Sequence, residues 1–321
     1  MVNPVFEFLE RHSSFIITTH ENPDPDGLGA EKVFSQIAAS MGKKARIVNS
    51  DPVLGKFSFI DHDNSIEIWG NLSEPLPKDA ALVILDTANE NNIGDLREFL
   101  ACTPEVFVID HHELGKQSMQ NGYVDPLASS TCELMVELAQ QAGVTLSAGN
   151  AVAAYTGIVY DTGFFAYSKT TIRTFKAALA LVESGVKPYE VYRSLVENAS
   201  STVLELQKKV LSSLKIYNKG RIAVQFLRKA DLESCNANPE DSENFINIPM
   251  KSKEVEVSVF VKENKEGKVR CSLRSKGGVN VSKIAQSLGG GGHVCAAGFK
   301  SPNNIKETLA LVLKKINEEL D

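Results

Sequence analysis

No stretch of this chain is apolar for long enough to cross a bilayer, and no run of lysine and arginine is long enough to hold duplex DNA by charge alone. Cysteine is sparse: Cys102, Cys132, Cys235, Cys271 and Cys295 are an odd number, far apart and without CxxC spacing. That fits neither a disulfide framework nor a zinc ribbon and points to a reducing compartment. The thiols are expected to be buried and inert. Tryptophan occurs once, at Trp69, which is expected to pack rather than stack on a base. Met1–Arg11 has Glu7 and Glu10 where a signal peptide would have basic and apolar regions. A soluble, cytoplasmic protein without a membrane partner is the expectation.

The chain has 321 residues and is 43% hydrophobic, enough for a sizeable core and about two domains. Its net charge of −6 is unevenly spread. Residues 1–200 hold 14 Lys/Arg against 26 Asp/Glu, and residues 201–321 hold 20 against 14. An acidic half suits bound cations, and a basic half suits an anionic substrate.

The chain is organised around Ile17-Thr18-Thr19-His20-Glu21-Asn22-Pro23-Asp24-Pro25-Asp26-Gly27. An apolar strand ends there in a histidine and two aspartates. Pro23 and Pro25 push Asn22 and Asp24 towards extended backbone, so the Asp24 and Asp26 carboxylates stand on a stiff segment. Carboxylates with an imidazole suit Mn²⁺, Mg²⁺ or Zn²⁺. The alternative is that Asp26 caps a helix starting near Leu28.

Further on, apolar segments repeatedly end in acid or imidazole. Residues 81–85 end in Asp86, residues 105–109 in Asp110-His111-His112, and residues 151–159 in Tyr160-Asp161. An open α/β sheet places its ligands outside the carboxyl ends of its strands. A helix is expected over 90–100, while residues 51–80 read as irregular, with Asp61-His62-Asp63 as a decoy. His12 and His62 are expected at the surface without partners. Helices are also expected over 189–195 and 203–217, and a polar surface loop over 235–249. Beyond them, strand alternation puts Arg270, Ser272 and Arg274 on one face, opposite Val269, Cys271 and Leu273. Gly289–Gly292 and His293 lie between a short helix and a strand; they could form an anion-binding nest or allow close packing.

These motifs, with Ser272-Leu273-Arg274-Ser275-Lys276, Gly290-Gly291-Gly292-His293 and Ala296-Ala297-Gly298, resemble those of the DHH phosphoesterases and their DHHA1 domain, in the family's order over nearly the whole chain. The compact length is most similar to the bifunctional oligoribonuclease and 3′-phosphoadenosine-5′-phosphate (pAp) phosphatase group. The resemblance implies an α/β fold: a parallel-sheet DHH domain with helices on both faces (1–190), a helical linker (191–218) and a smaller mixed α/β DHHA1 domain (219–321). It implies two divalent ions, Mn²⁺ first and Mg²⁺ or Co²⁺ next, with an activated water between them attacking phosphorus. His20, Asp24 and Asp86 would hold one ion, and Asp26, Asp86, His111 and Asp161 the other, Asp86 bridging. His112 is assigned to the scissile phosphate, as donor or acid, or else to orienting His111. Asp110 supports the site, and Asn22 braces the loop or touches phosphate. Arg274, Ser275, Gly290, Gly291, Gly292 and His293 would grip the distal end of the substrate.

The resulting expectation is a hydrolase that cuts short single-stranded oligonucleotides or nucleoside bisphosphates and does not act on duplex DNA, with a homodimer left open. The alternatives are a linear or cyclic dinucleotide phosphodiesterase and a non-catalytic nucleotide sensor.

Overall fold

Six parallel strands in the order β3-β2-β1-β4-β5-β6 build the first of two units, residues 1–198. The computed structural model describes residues 3–115 and 118–320. Helix α1 (Pro4–Arg11) leads into β1 (Ser14–Thr18), followed by α2 (Pro25–Ser40), β2 (Lys44–Asn49), β3 (Ile66–Ile68), β4 (Ala81–Leu85), β5 (Val106–Asp110) and β6 (Gly122–Val124). Helices α3 (Thr131–Gln141), α4 (Ala148–Asp161), α5 (Ile172–Glu183) and α6 (Pro188–Val196) complete the unit.

Alternation along the strands divides the core. Phe15, Ile17, Val83, Leu85, Phe107 and Ile109 face α1 to α4, while Ile16, Leu82, Ile84 and Val108 face the other way. That second face is covered by Trp69, which packs as expected, and by a 3-10 segment over Gly94–Ala101. The α-helix expected at 90–100 does not form. Gly94 stands at φ +56°, and a side chain there would also strike Ser50, whose Oγ ties Ile93 and Leu96 to the end of β2.

The strand order matters for function. β1 and β4 are parallel neighbours, but the chain adds β2 and β3 on one side of β1 and β4 to β6 on the other, so the connections after β1 and β4 diverge at their carboxyl ends, where an open α/β sheet has its crevice.

The second unit, residues 199–321, is a mixed sheet in the order β11-β12-β10-β9-β8-β7. It contains α7 (Ser201–Ser212), β7 (Lys215–Tyr217), β8 (Ile222–Leu227), α8 (Lys229–Cys235), β9 (Val257–Glu263) and β10 (Val269–Ser275). It ends with α9 (Val281–Ser287), β11 (Gly291–His293), β12 (Ala296–Ser301) and α10 (Ile305–Leu320). Among the described residues of this sheet, only β8 and β9 pair in parallel. The helix expected to run to 217 stops at Ser212, and 215–217 instead pairs with β8. Residues 235–249 are not a surface loop: Phe245 and Ile246 are buried with Leu206, Val210 and Phe260. Polar composition had hidden two anchoring side chains.

Asp61 and Asp63 are a decoy for metal. Lys32 on α2 is fully buried, and its Nζ donates to Asp61 Oδ1 and Ser65 Oγ, both at 2.7 Å, and to Asp63. The three partners satisfy a buried ammonium and pin the 51–65 segment to α2. Lys32→Met should therefore cost about 3 kcal/mol in urea unfolding, because two carboxylates lose their partner. A variant as stable as the parent would show that water reaches them.

His12 also has a partner: its Nε2 lies 2.8 Å from Glu105 Oε2, with the ring against Phe8 and Phe15. Cys132 and Cys271 are buried, but Cys102 and Cys295 are exposed, so not every thiol is sheltered. Neither correction could be read locally, since both depend on which distant segment arrives alongside.

Candidate metal centre

Asp24 and Asp26 divide two capping duties. Asp24 is the N-cap of α2, its Oδ1 accepting from the Asp26 and Gly27 amides at 2.9 and 3.3 Å, with Pro25 opening the helix. Asp26 caps α3 instead: its carboxylate accepts from the Thr131 amide at 2.6 Å and the Cys132 amide at 2.8 Å. Two N–H groups at a helix N-terminus fix the direction of the carboxylate. The cap is real, but it is supplied from across the fold and leaves other Asp26 lone pairs for a cation.

Around these carboxylates the chain closes two ligand sets and a third that overlaps them, Asp86, His111 and His112. Donor atoms of His20, Asp24 and Asp86 lie within 4.8 Å of one another, as do those of Asp26, His111 and Asp161. Asp86 stands between them, with Oδ2 3.6 Å from His20 Nε2 and Oδ1 3.6 Å from His111 Nε2. Asp161 Oδ2 is 3.2 Å from the same His111 nitrogen. Asp161 reaches the group from the C-terminal end of α4; residues 151–159 are helical and not a strand. An all-apolar stretch of that length fits a buried helix as well as a strand, and only its packing on α2 and α3 decides.

The imidazoles are preset. His20 Nδ1 is 2.8 Å from the Glu21 carbonyl and His111 Nδ1 is 3.4 Å from that of Ala128, so each Nδ1 donates to a carbonyl and each Nε2 is the nitrogen turned to the carboxylates. His111 Nε2 is buried with no hydrogen-bond partner. Burial lowers the His111 pKa, favouring the neutral, ligating form. Burial also opposes charge on His20, but Asp24 and Asp86 outweigh it and raise the pKa to about 11. Asp86 is pushed well above the usual carboxylate range by burial and then by Asp26; Asp161 rises to about 8 for the same reasons. Carboxylates this crowded and this dry call for cations among them. The donor set therefore fits divalent metal.

His112 is 56% exposed beside this group. Its Nδ1 is 2.7 Å from Asp110 Oδ1, which also accepts from the His111 and His112 amides. That bond, opposed by burial, raises His112 to about 9. Asn22 departs from the extended backbone expected before proline: it stands at φ +53°, exposed, its amide caught by Asp51 Oδ2 at 2.8 Å. Asparagine tolerates that left-handed conformation. Two contributors escaped the sequence reading. Thr131 Oγ1 donates to Asp86 Oδ1 at 2.8 Å, and Lys169 Nζ donates to the His111 carbonyl at 3.2 Å. Thr131 had a signal, the Ser129-Ser130-Thr131 run, whose cap is Ser130; Lys169 had none.

The second unit brings together most of its expected residues. Arg274 on β10, Ala296 on β12 and His293 on β11 lie in one cross-strand row; Ser272, Gly298 and Gly291 form the next. Arg274 and His293 thus flank a strip floored by small residues. Ser275 lies on the opposite, buried side, its Oγ accepting from the Gly277 and Val279 amides. The glycine run is a strand edge rather than an open nest. A side chain at Gly290 would strike Gly298 O and one at Gly292 would strike Ala296 O, while space at Gly291 is open.

Comparison with known proteins agrees with this geometry. The DHH family N-terminal domain matches residues 14–158, and the DHHA1 domain matches 219–321. The bifunctional oligoribonuclease and PAP phosphatase NrnA of Thermus thermophilus is 32% identical over 95% of this chain and 89% of its own length. The chain belongs to the DHH–DHHA1 family. A cyclic-di-AMP phosphodiesterase, GdpP of Bacillus subtilis, is 30% identical over 97% of this chain but 49% of that protein. Among solved structures, an exopolyphosphatase-related protein from Bacteroides fragilis superposes with a TM-score of 0.91 at 25% identity, covering 98% of this chain and 94% of that one. This DHH–DHHA1 chain therefore shares its fold with that structure over nearly all of both lengths. Among the described residues, no helix is long and apolar enough to cross a membrane.

Proposed function

We propose that this DHH–DHHA1 chain is a metal-dependent hydrolase of phosphoester bonds, converting short oligonucleotides to mononucleotides and pAp to AMP and phosphate. The observation that carries the reading is Asp86, at the crevice end of β4, flanked by His20–Asp24 on one side and Asp26–His111–Asp161 on the other. Similarity to the Thermus protein over nearly both lengths supports the substrate class.

His20, Asp24 and Asp86 would hold one divalent ion and Asp26, Asp86, His111 and Asp161 a second, Mn²⁺ being the expected metal and Mg²⁺ or Co²⁺ substitutes. Such a pair supplies an activated water near neutral pH and neutralises charge developing on the phosphoryl oxygens. The chain's own groups do the rest. Asp110 fixes His112 so that Nε2 faces outward, able to donate to the scissile phosphate or to protonate the leaving oxygen. Thr131 orients Asp86 and the α3 N-terminus orients Asp26. Asn22 braces the loop through its turn. In the second unit Arg274 and His293, with the open Gly291 edge, take the distal phosphate; Gly290 and Gly292 let the strands approach, and Ser275 shapes the adjoining turn.

Arg274→Ala should raise KM for pAp about tenfold or more with a smaller change in kcat, and Arg274→Lys should restore only part, since lysine lacks the bidentate fork. Equal KM values across the three proteins would remove Arg274 from the binding site. Similarity to the Bacillus phosphodiesterase favours a second reading, hydrolysis of linear or cyclic dinucleotides. A Mn²⁺-supported product assay on pAp, a dinucleotide, linear and cyclic dinucleotide messengers and long RNA separates the two. Fast release from pAp and the dinucleotide, lost with chelator, is expected. A cyclic dinucleotide preferred over both supports the second reading, and no product from any substrate overturns both.

A further inference from the structure

Three residues in a row after Asp161 adopt left-handed backbone: Gly163, Phe164 and Phe165 stand at φ +55°, +58° and +64°. Only the first is glycine, and a bulky residue keeps that conformation only where its surroundings impose it. Here the surroundings do. The Phe164 amide donates to the Val159 carbonyl, the Phe165 amide to Thr162 Oγ1, and the Ala166 and Tyr167 amides to the Thr162 carbonyl. Phe165 stacks on Phe175 at 5.1 Å, and Phe164 meets Tyr192 at 5.5 Å. The turn is a built reversal of the chain, hung on the residue next to Asp161.

What the reversal delivers is Lys169. Its Nζ comes back to the metal centre and donates to the His111 carbonyl at 3.2 Å. An ammonium has three donors, and among the described residues that carbonyl is the one acceptor it meets. The side chain is exposed, so two donors are left for a ligand arriving from solvent. Lys169 and His112 both lie close enough for their charges to act on Asp161 and on His111. A long bond from an exposed side chain is a weak tether for one peptide. A flexible point charge beside a carboxylate-rich centre is well suited to a phosphate oxygen.

The substrate's own charge decides where such a cation matters most. A terminal phosphomonoester, such as the 3′-phosphate of pAp, carries three acceptor oxygens and close to two negative charges near neutral pH. An internal diester linkage has two terminal oxygens and one charge. Since the transition state spreads charge over those oxygens, one more fixed cation helps the monoester more. We propose that Lys169 is a catalytic residue that binds the phosphoryl group under attack and weights turnover towards terminal monoesters over internal diesters. This rests on the phosphoesterase reading given above and adds to it the residue that divides its two substrates.

Lys169→Met keeps the stem and removes the charge, while Lys169→Arg keeps the charge. On Mn²⁺-loaded protein, Lys169→Met should lower kcat/KM about 10²-fold for pAp and no more than about threefold for a dinucleotide. Lys169→Arg should recover part of the loss on pAp. Calorimetric titration with inorganic phosphate, which needs no turnover, should show about tenfold weaker binding to Lys169→Met. Its Mn²⁺ content and far-UV circular dichroism should match the wild type. An equal loss on both substrates overturns the proposal, because a tether on His111 would slow both alike. No loss on pAp, or wild-type affinity for phosphate, overturns it as well. So does a Lys169→Met protein that loses its fold or its Mn²⁺, since the residue would then serve the structure. If the wild type cleaves neither substrate, the phosphoesterase reading fails separately, and the phosphate titration still decides for or against Lys169.

Discussion

Asp86→Asn is expected to lower metal-dependent turnover about 10³-fold or more while leaving the fold intact. Asparagine is the informative replacement because Asp86 stands at φ +62°, a left-handed conformation that asparagine accepts more readily than alanine. Its amide still donates to the Ile109 carbonyl at 3.0 Å, and Thr131 can still donate to the side-chain oxygen. What disappears is the charge of the one carboxylate placed between both ligand sets. Metal content after dialysis against Mn²⁺ should fall. The wild type should gain melting temperature on adding Mn²⁺ and the variant should gain far less, because stabilisation tracks binding to the folded state. Full turnover with normal metal content would sink the bridging assignment.

Gly157→Ala should destabilise the protein by about 2 kcal/mol, although alanine is the better helix former by about 1 kcal/mol. Gly157 lies on α4 where it crosses α2 and α3. An added Cβ would sit 2.4 Å from Cys132 Sγ and 2.9 Å from both Asp26 Cα and Pro25 O. Two of those atoms are backbone and cannot rotate away. The same clash presses on Asp26, so kcat should fall at least about tenfold even under conditions where the variant is folded. Urea titration with parallel kinetics measures both effects. A gain in stability would mean that the helices can part without harm.

The strand-end residues were legible because each apolar strand stops where its chemistry begins. His20, Asp86, Asp110, His111 and His112 each follow a hydrophobic segment that reads as a buried strand, and strand direction alone carries them to one edge of the sheet. Asp161 was found in the sequence for the wrong structural reason. It closes a helix, and its place beside His111 follows from the packing of α4 on α2. Asp24 and Asp26 were legible as a pair but not as separate caps, because the helix that Asp26 caps begins 105 residues later. Alternation already sets Ser275 on the face opposite Arg274, but only the folded chain shows its hydroxyl accepting from the Gly277 and Val279 amides.

By itself the sequence determined the two α/β units, the acidic and basic division, and the residue types suited to divalent cations. Periodicity and local chemistry need only neighbouring residues. Tertiary structure decided the rest. The 3-2-1-4-5-6 order puts His20 and Asp86 across one crevice, and the α3 N-terminus settles which way Asp26 points. Lys32 removes Asp61 and Asp63 from the list of ligands, and strand pairing turns a glycine run into an edge. Each of these depends on which distant segment is brought alongside, and no local pattern encodes that.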